Sequence, residues 1–272
     1  MDGQSQSIVT SSVATGVGDV LGNKGGVAVT MTCFGKRIVF INSHLAAHRN
    51  AVGKRNSDYS KIVNKLTFEV GTAKKQIMSS FDEGDVVCWA GDLNYRIDEF
   101  TYEDVIEMIK KGELQKLLGR DQLNKERQAS RVFRNFREAR IEFNPTYKFD
   151  KNAQSIYAYD SSEKKRVPAW CDRILVKDSC SSTPTTDASA LPPLPSTKVT
   201  CRSYEAMMEL NDSDHKPVHA AFTVDIAMVN EPVKRFVVGN ALKKAYDCTD
   251  DFQEEVHSDH EENEAAGPLL DL

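Results

Sequence analysis

An α/β fold is predicted by three observations. Short β-rich runs alternate with stretches of helical periodicity, apolar strands stop at turns built from Gly, Asp and Asn, and no apolar run approaches the ~20 residues of a membrane-spanning helix. The 272 residues, 40% of them hydrophobic, suit one domain or at most two. Collagen, coiled coil and disorder throughout are excluded.

The elements follow in chain order. Gly26-Val27-Ala28-Val29-Thr30-Met31-Thr32-Cys33 leads through Phe34-Gly35-Lys36 into Arg37-Ile38-Val39-Phe40-Ile41-Asn42, two β-rich runs joined by a Gly-containing turn, which predicts an antiparallel hairpin ending at Ser43-His44-Leu45. From about Asn50 to Met78 the apolar Val52, Tyr59, Ile62, Val63, Leu66 and Val70 recur at helical spacing, as in a surface helix against a sheet. Asp85-Val86-Val87-Cys88-Trp89-Ala90 reads as a strand stopping at Gly91-Asp92-Leu93-Asn94, the kind of strand end where a rigid scaffold presents catalytic side chains. Thr101 is placed to cap a helix with Asp104 at its third position, and helical pattern continues to about Ala139. After Phe143-Asn144-Pro145-Thr146 the chain is loop-like until Val167, and Arg173-Ile174-Leu175-Val176 returns to strand. Residues 178 to 198, rich in Ser, Thr and Pro, read as a surface loop, followed by strands at about Lys198-Val199-Thr200-Cys201 and Val218 to Val224. The region 225 to 246 is ambiguous, and 247 to 272 is charged, poor in aromatics and without periodicity, as disordered tails are.

The net charge of −5 hides an asymmetry. Residues 247 to 272 hold ten acidic side chains and no Lys or Arg, so the body before them has 35 basic against 30 acidic side chains. A mildly basic body favours anionic substrates or an anionic membrane surface, and the excess is too small to argue for duplex nucleic acid. The six cysteines form no close C-x-x-C pair, which argues against a zinc cage or a dense disulfide framework. The polar start Met1-Asp2-Gly3-Gln4-Ser5-Gln6-Ser7 lacks the features of a signal peptide, so a cytoplasmic location is the default expectation.

Groups able to bind a metal or move a proton gather at strand ends. Asp92 and Asn94 lie two residues apart, a spacing that projects both to one side of an extended segment. Ser213-Asp214-His215 sets a carboxylate beside an imidazole, Trp170-Cys171-Asp172-Arg173 adds a carboxylate able to orient that histidine, and Asn42-Ser43-His44 supplies a second imidazole. Lys164-Lys165-Arg166, together with Tyr147-Lys148 and Arg173, is a set able to surround a multiply phosphorylated ligand. Gly22-Asn23-Lys24-Gly25-Gly26 matches neither the P-loop nor the dinucleotide fingerprint.

Leu21-Gly22-Asn23-Lys24-Gly25-Gly26-Val27, Asn42-Ser43-His44-Leu45-Ala46-Ala47-His48, Trp89-Ala90-Gly91-Asp92-Leu93-Asn94-Tyr95-Arg96, Pro145-Thr146-Tyr147-Lys148, Arg166-Val167-Pro168-Ala169-Trp170-Cys171-Asp172-Arg173-Ile174-Leu175 and Ser213-Asp214-His215-Lys216-Pro217-Val218 occur in fixed order. With them, the chain from about Ile8 to Val224 resembles the catalytic domain of inositol polyphosphate 5-phosphatases, of the endonuclease/exonuclease/phosphatase superfamily. The resemblance implies a four-layer α/β sandwich of two packed mixed sheets flanked by helices, similar to deoxyribonuclease I, with residues 1–224 as the catalytic domain and 225–272 as an extension. It also implies a Mg2+-dependent phosphatase that removes the 5-phosphate of phosphoinositides, such as phosphatidylinositol 4,5-bisphosphate, or of soluble inositol polyphosphates. By the same resemblance Asp92 orients water or acts as base, Asn94 contacts the scissile phosphate, and His215 stabilises it with Asp172 holding its ring. His44 reaches the phosphate from the opposite side, Asp214 lies near the metal, and Tyr147, Lys164 and Arg166 read the neighbouring 4-phosphate, with Lys148 and Arg173 also among the substrate-binding groups.

In that family the segment before Leu21 contributes the first strands, including the main Asn and Glu ligands of the metal. Here 20 residues precede Leu21, none of them Glu, and Asn does not occur before Asn23. The expectation is therefore a domain without its first strands, in which the hairpin at 26 to 42 lacks partners, the chain alone folds poorly and its activity is low. The competing reading is a catalytically impaired fragment acting as a phosphoinositide-binding or scaffolding module. A nuclease of the same superfamily fits the fold but not the run from Lys164 to Arg173, so nucleic acid is not an expected partner. Pro268-Leu269-Leu270-Asp271-Leu272 resembles the short box that binds the clathrin terminal domain, which adds clathrin as a candidate partner.

Overall fold

Phe34 and Gly35 both have positive φ (49° and 74°), and between them they close β2 (Gly25–Cys33) onto β3 (Lys36–His44) with Cys33 opposite Lys36. This two-residue turn matches the twist of the strands it joins. A computed structural model describes residues 8–16, 23–72, 75–153, 155–178 and 197–226. The chain divides into two units, Met1–Ile226 and Ala227–Leu272. Residues 179–196, most of the expected Ser/Thr/Pro-rich loop, lie outside the described residues, as do the acidic tail and its Leu269–Leu272 box.

The main sheet has the order β1-β2-β3-β6-β7, with β1 at Val9–Ala14, β6 at Val86–Asp92 and β7 at Asp172–Asp178. Every neighbouring pair is antiparallel except β3 and β6, which run parallel. The strand β1, in the segment before Leu21 where the domain was expected to be without its first strands, pairs along β2 from Val9 opposite Thr30 to Ala14 opposite Gly25. The edge of the hairpin that was expected to lack a partner is therefore paired.

Between β3 and β6 the helix expected over residues 50 to 78 is half that length. The helix α1 (Val52–Lys65) ends where Leu66 turns extended (φ −77°, ψ 104°), and β4 (Thr67–Thr72) and β5 (Lys75–Ser80) follow as an antiparallel hairpin. The apolar spacing of Leu66 and Val70 fits a helix, but Thr67, Val70 and Thr72 are β-branched and Gly71 lies beside the turn, and these local preferences win.

The helical pattern expected through Ala139 resolves into α2 (Tyr102–Lys110), α3 (Leu114–Leu118) and α4 (Gln122–Gln128). Thr101 and Asp104 form the predicted capping box, the Thr101 hydroxyl accepting from the Asp104 amide and the Asp104 carboxylate accepting from the Thr101 amide. Gly112 (φ 71°) ends the first helix, and positive φ at Ser130, Phe133 and Asn135 turns the following segment out of helical geometry. Strands β8 (Lys198–Ala206) and β9 (Val218–Asp225) form a separate hairpin.

The core under one face of the main sheet centres on Trp89, fully buried, with Phe81, Phe133 and Phe136 meeting it edge-on and Tyr59 tilted against it. Its indole N–H donates to Ser43 Oγ at 2.9 Å, which ties β6 to β3 one residue before the chemistry begins. A second cluster around Trp170, Phe149, Tyr159 and Ile97 supports the loops that carry the rest of the site.

Candidate functional site

The register of three neighbouring strands places His44 opposite Asp92 and Asp92 opposite Asp172, one row at one end of the sheet. Parallel β3 and β6 both end there, so their last side chains project from rigid backbone into the following loops. Gly91 permits this closeness. Its φ is +135°, and a Cβ on it would stand 2.1 Å from the Ser43 carbonyl oxygen, so any other residue would push β3 from β6 beside the row.

Asp92 is held from three sides. Its Oδ1 accepts from the Asn94 amide (3.0 Å), and its Oδ2 accepts from Asn94 Nδ2 (3.1 Å) and lies 3.1 Å from His44 Nε2. Asn94 has φ 57°, so the two residues meet through a turn and not through the extended spacing assumed from sequence. The Lys24 Nζ lies 2.9 Å from the same His44 Nε2. Lys24, Gly25, Gly26, Asn42 and His44 line a cleft of about 410 Å3 beside the row.

His215 arrives from the loop between β8 and β9. The segment 146–149 is stitched on both sides: Tyr147 exchanges backbone hydrogen bonds with Ala169, the Lys216 amide donates to the Thr146 carbonyl and the Phe149 amide donates to the Asp214 carbonyl. These ties bring His215 Nδ1 to 2.9 Å from Asp172 Oδ2, which also accepts from Thr146 Oγ1 at 3.0 Å. The ring of Tyr147 lies 4.6 Å from that of His215. Burial works against an imidazolium here, but the Asp172 hydrogen bond and the carboxylates of Asp172, Asp92 and Asp214 outweigh it and raise the His215 pKa above 6.5. A folded pKa raised above the unfolded one gives stabilisation that is complete below about pH 6.5 and lost as pH rises through the folded value. An NMR titration of the His215 ring should thus show a midpoint above 6.5, and Asp172→Asn should bring it down.

Asp92, Asp172 and His215 offer ligand atoms within 4.8 Å of one another. His215 Nδ1 and Asp172 Oδ2 already bind each other, so the carboxylates, Asp92 foremost, are the groups suited to a hard divalent cation, which completes its shell with water and phosphate oxygens. The residues present fit such an ion in that limited way. Asp214, expected near the metal, is not in this trio. It accepts from Lys148 Nζ at 2.5 Å, and that hydrogen bond and charge outweigh burial and lower its pKa.

The expected 4-phosphate readers occupy the loop beyond Tyr147. Lys164 is exposed, and the Arg166 guanidinium donates to Asp160 Oδ2 at 3.0 Å. Hydrogen bonds from Ser162 and Arg166 outweigh the burial of Asp160 and hold its pKa down at about 2. Arg173 is not brought to the site. Its fully buried guanidinium bonds Asp121 (2.9 Å) and, through Nε and Nη2, both oxygens of Glu138 (2.7 Å each).

Several polar residues that the sequence did not single out support the site. Arg55, fully buried, donates to the carbonyls of Ala46, His48 and Arg49 and to Gln122 Oε1, which also accepts from the Arg96 amide. The loop after His44 is thereby clamped to the turn after Asp92. Asp58 adds an acceptor for the Ala46 amide at 2.9 Å.

Known proteins resemble this chain in sequence and in fold. The sequence model of Endonuclease/Exonuclease/phosphatase family 2 matches residues 3–221. Type II inositol polyphosphate 5-phosphatase 15 of Arabidopsis thaliana is 36% identical over 257 residues, covering 85% of this chain and 23% of the relative. The type II inositol 1,4,5-trisphosphate 5-phosphatase of Mus musculus is 36% identical over 229 residues, covering 84% and 21%. The solved inositol polyphosphate 5-phosphatase domain of a synaptojanin, in complex with inositol (1,4)-bisphosphate and calcium ion, superposes with a TM-score of 0.69 at 33% identity, covering 91% of this chain and 63% of that one. The chain thus spans less than a quarter of the length of these curated relatives. The α/β sandwich expected from the motifs is the fold of that synaptojanin domain.

Proposed function

Because the chain belongs to endonuclease/exonuclease/phosphatase family 2, we propose that it hydrolyses the 5-phosphate of phosphoinositides such as phosphatidylinositol 4,5-bisphosphate, or of soluble inositol polyphosphates. The observation that carries this reading is the His44–Asp92–Asp172 row closed by His215, with Lys148, Lys164 and Arg166 on the adjoining loops. A phosphomonoester needs a water oriented in line and charge neutralised on the phosphoryl oxygens. The Asp92 carboxylate, fixed by Asn94 and His44, orients that water and takes its proton. His215, whose protonated form the Asp172 carboxylate favours, donates from Nε2 to a phosphoryl oxygen, and His44 and Lys24 supply further donors around it. Mg2+ held by Asp92 and Asp172 supplies Lewis-acid neutralisation of the phosphoryl and leaving oxygens when bound. A cytoplasmic enzyme recruited to membranes by its lipid substrate is consistent with the mildly basic body.

The test is phosphate release from inositol 1,4,5-trisphosphate with Mg2+, beside duplex DNA as a control. Release of phosphate with intact DNA supports the proposal, and DNA cleavage without phosphate release overturns it. If Lys164 and Arg166 read the 4-phosphate, their joint replacement by Ala should cost turnover of 4,5-bisphosphorylated substrates selectively, since charge-assisted bonds contribute roughly 1.5–3 kcal/mol each. Arg166 keeps a share of its charge for Asp160, so Lys164 should account for the larger part. Equal losses on substrates lacking a 4-phosphate would reject the pairing.

A further inference from the structure

Arg96 lies behind the Asp92–Asn94 turn, only 8% exposed. Its fork holds Asn94 at two points, Nη2 donating to Oδ1 at 2.6 Å and Nε donating to the backbone carbonyl at 3.1 Å. The guanidinium lies over the Tyr147 ring, Cζ 4.3 Å from its centroid, and that ring is the one against His215.

We propose that Arg96 is the positioning residue that sets both arms of the phosphate site, fixing the Asn94 amide so that its Nδ2 holds the Asp92 carboxylate and holding the Tyr147–His215 pair on the other side. The proposal rests on the reading of Asp92 and His215 as the groups that act on the phosphate.

A carboxamide has nearly the same shape at its two ends, so sterics alone does not decide whether Asn94 turns N–H or C=O toward Asp92. Arg96 decides it. With Oδ1 bound to a cation, Nδ2 must point at the Leu45 carbonyl (3.0 Å) and Asp92 Oδ2 (3.1 Å), both acceptors. A flipped amide would set NH2 against the guanidinium and oxygen against two oxygens, exchanging three hydrogen bonds, two of them charge-assisted, for three repulsions. A cation on Oδ1 also polarises the amide and strengthens the N–H donors at the other end. The bond from Nε supports Asn94 in its left-handed conformation, which costs a non-glycine residue on the order of 1 kcal/mol unless its surroundings fix it.

On the other arm, a planar delocalised cation stacks on an aromatic face in a way an ammonium cannot. Tyr147 is tied by its backbone to Ala169, so the guanidinium limits where the ring can tilt and with it the ring of His215. Lysine at this position would keep the charge while losing both the fork and the plate.

The experiment compares the full chain with Arg96→Lys, Arg96→Met, Asn94→Ala and the Arg96→Met/Asn94→Ala double variant. Three quantities are read: hydrogen exchange of the Asn94 side-chain amide by NMR, the melting temperature, and kcat and KM on inositol 1,4,5-trisphosphate with Mg2+. Arg96→Lys should speed Asn94 amide exchange about tenfold and lower kcat about tenfold with KM little changed, because the lost contacts orient groups and do not bind substrate. Arg96→Met should cost more, and the double variant no more than the greater single loss, since residues acting as one unit are not additive. A residue that merely fills the core would lower the melting temperature while leaving the Asn94 amide protected and kcat per folded molecule unchanged. That result, or losses that multiply in the double variant, would overturn the proposal. Should the wild-type chain release no phosphate, the phosphatase reading fails, while the exchange of the Asn94 amide still decides the role of Arg96.

Discussion

Asp92→Ala and His215→Ala should each lower kcat for 5-phosphate release by at least about 10²-fold, because placing the nucleophile and neutralising the transferring phosphoryl group carry most of the rate in such reactions. Asp92 is the hub of the row: His44, Asn94 and through them Lys24 are arranged around its two oxygens. Its loss removes the acceptor for a water proton and releases the Asn94 side chain from one of its two acceptors. His215 stands opposite, bound by Asp172, and supplies the charge on that side. Both side chains are partly open to solvent at the sheet's end, 20% for Asp92 and 27% for His215, so neither substitution cuts into the core. Melting temperatures should stay close to wild type, which separates a chemical loss from unfolding. Asp92→Asn keeps the shape but not the charge and should be nearly as slow as the alanine variant. Near-normal turnover in Asp92→Ala or His215→Ala would refute the roles assigned to them.

Much of this row was legible because each member sits at a strand end marked by local chemistry. The apolar run before Gly91, the β-rich run before His44 and the strand after Trp170 each stop or start at a polar residue, and strands of one sheet bring such ends together. What local pattern could not give was the partnership across long stretches of chain. Arg55 and Gln122, 67 residues apart, meet only because α4 packs beside the loop after His44. Lys24 is one position in a Gly-rich stretch until the fold sets it against His44. The overlong helix at 50 to 78 has a different origin, since an apolar residue every three or four positions fits a helix and does not by itself exclude a strand pair.

Arg173 is the instructive case, because a signal in the sequence could have placed it. Successive side chains of a strand point to opposite faces, so if Asp172 faces His215, its neighbour must face away. The structure bears this out: Arg173 turns into the protein, where its guanidinium bonds Asp121 and Glu138 and lies 3.3 Å from Asn124 Oδ1, while Glu138 also accepts from Arg127 and the Tyr204 hydroxyl. Burial opposes the charge, but Asp121 and Glu138 outweigh it and keep the Arg173 pKa well above its ordinary value. Arg173→Met should therefore act on stability. It leaves two buried carboxylates without their shared cation, a loss of about 3–5 kcal/mol for a broken buried pair. For a domain of this size that is a fall in melting temperature on the order of 10 °C or more. Arg173→Lys should recover part of it, since one ammonium keeps the charge but cannot span both carboxylates with a planar fork. The contrast with a substrate ligand is sharp in the kinetics: below the melt, KM for inositol 1,4,5-trisphosphate should remain at the wild-type value, whereas loss of a phosphate contact would raise KM and leave the melting temperature alone. A raised KM with an unchanged melt would return Arg173 to the substrate side of the strand and contradict the alternation argued here.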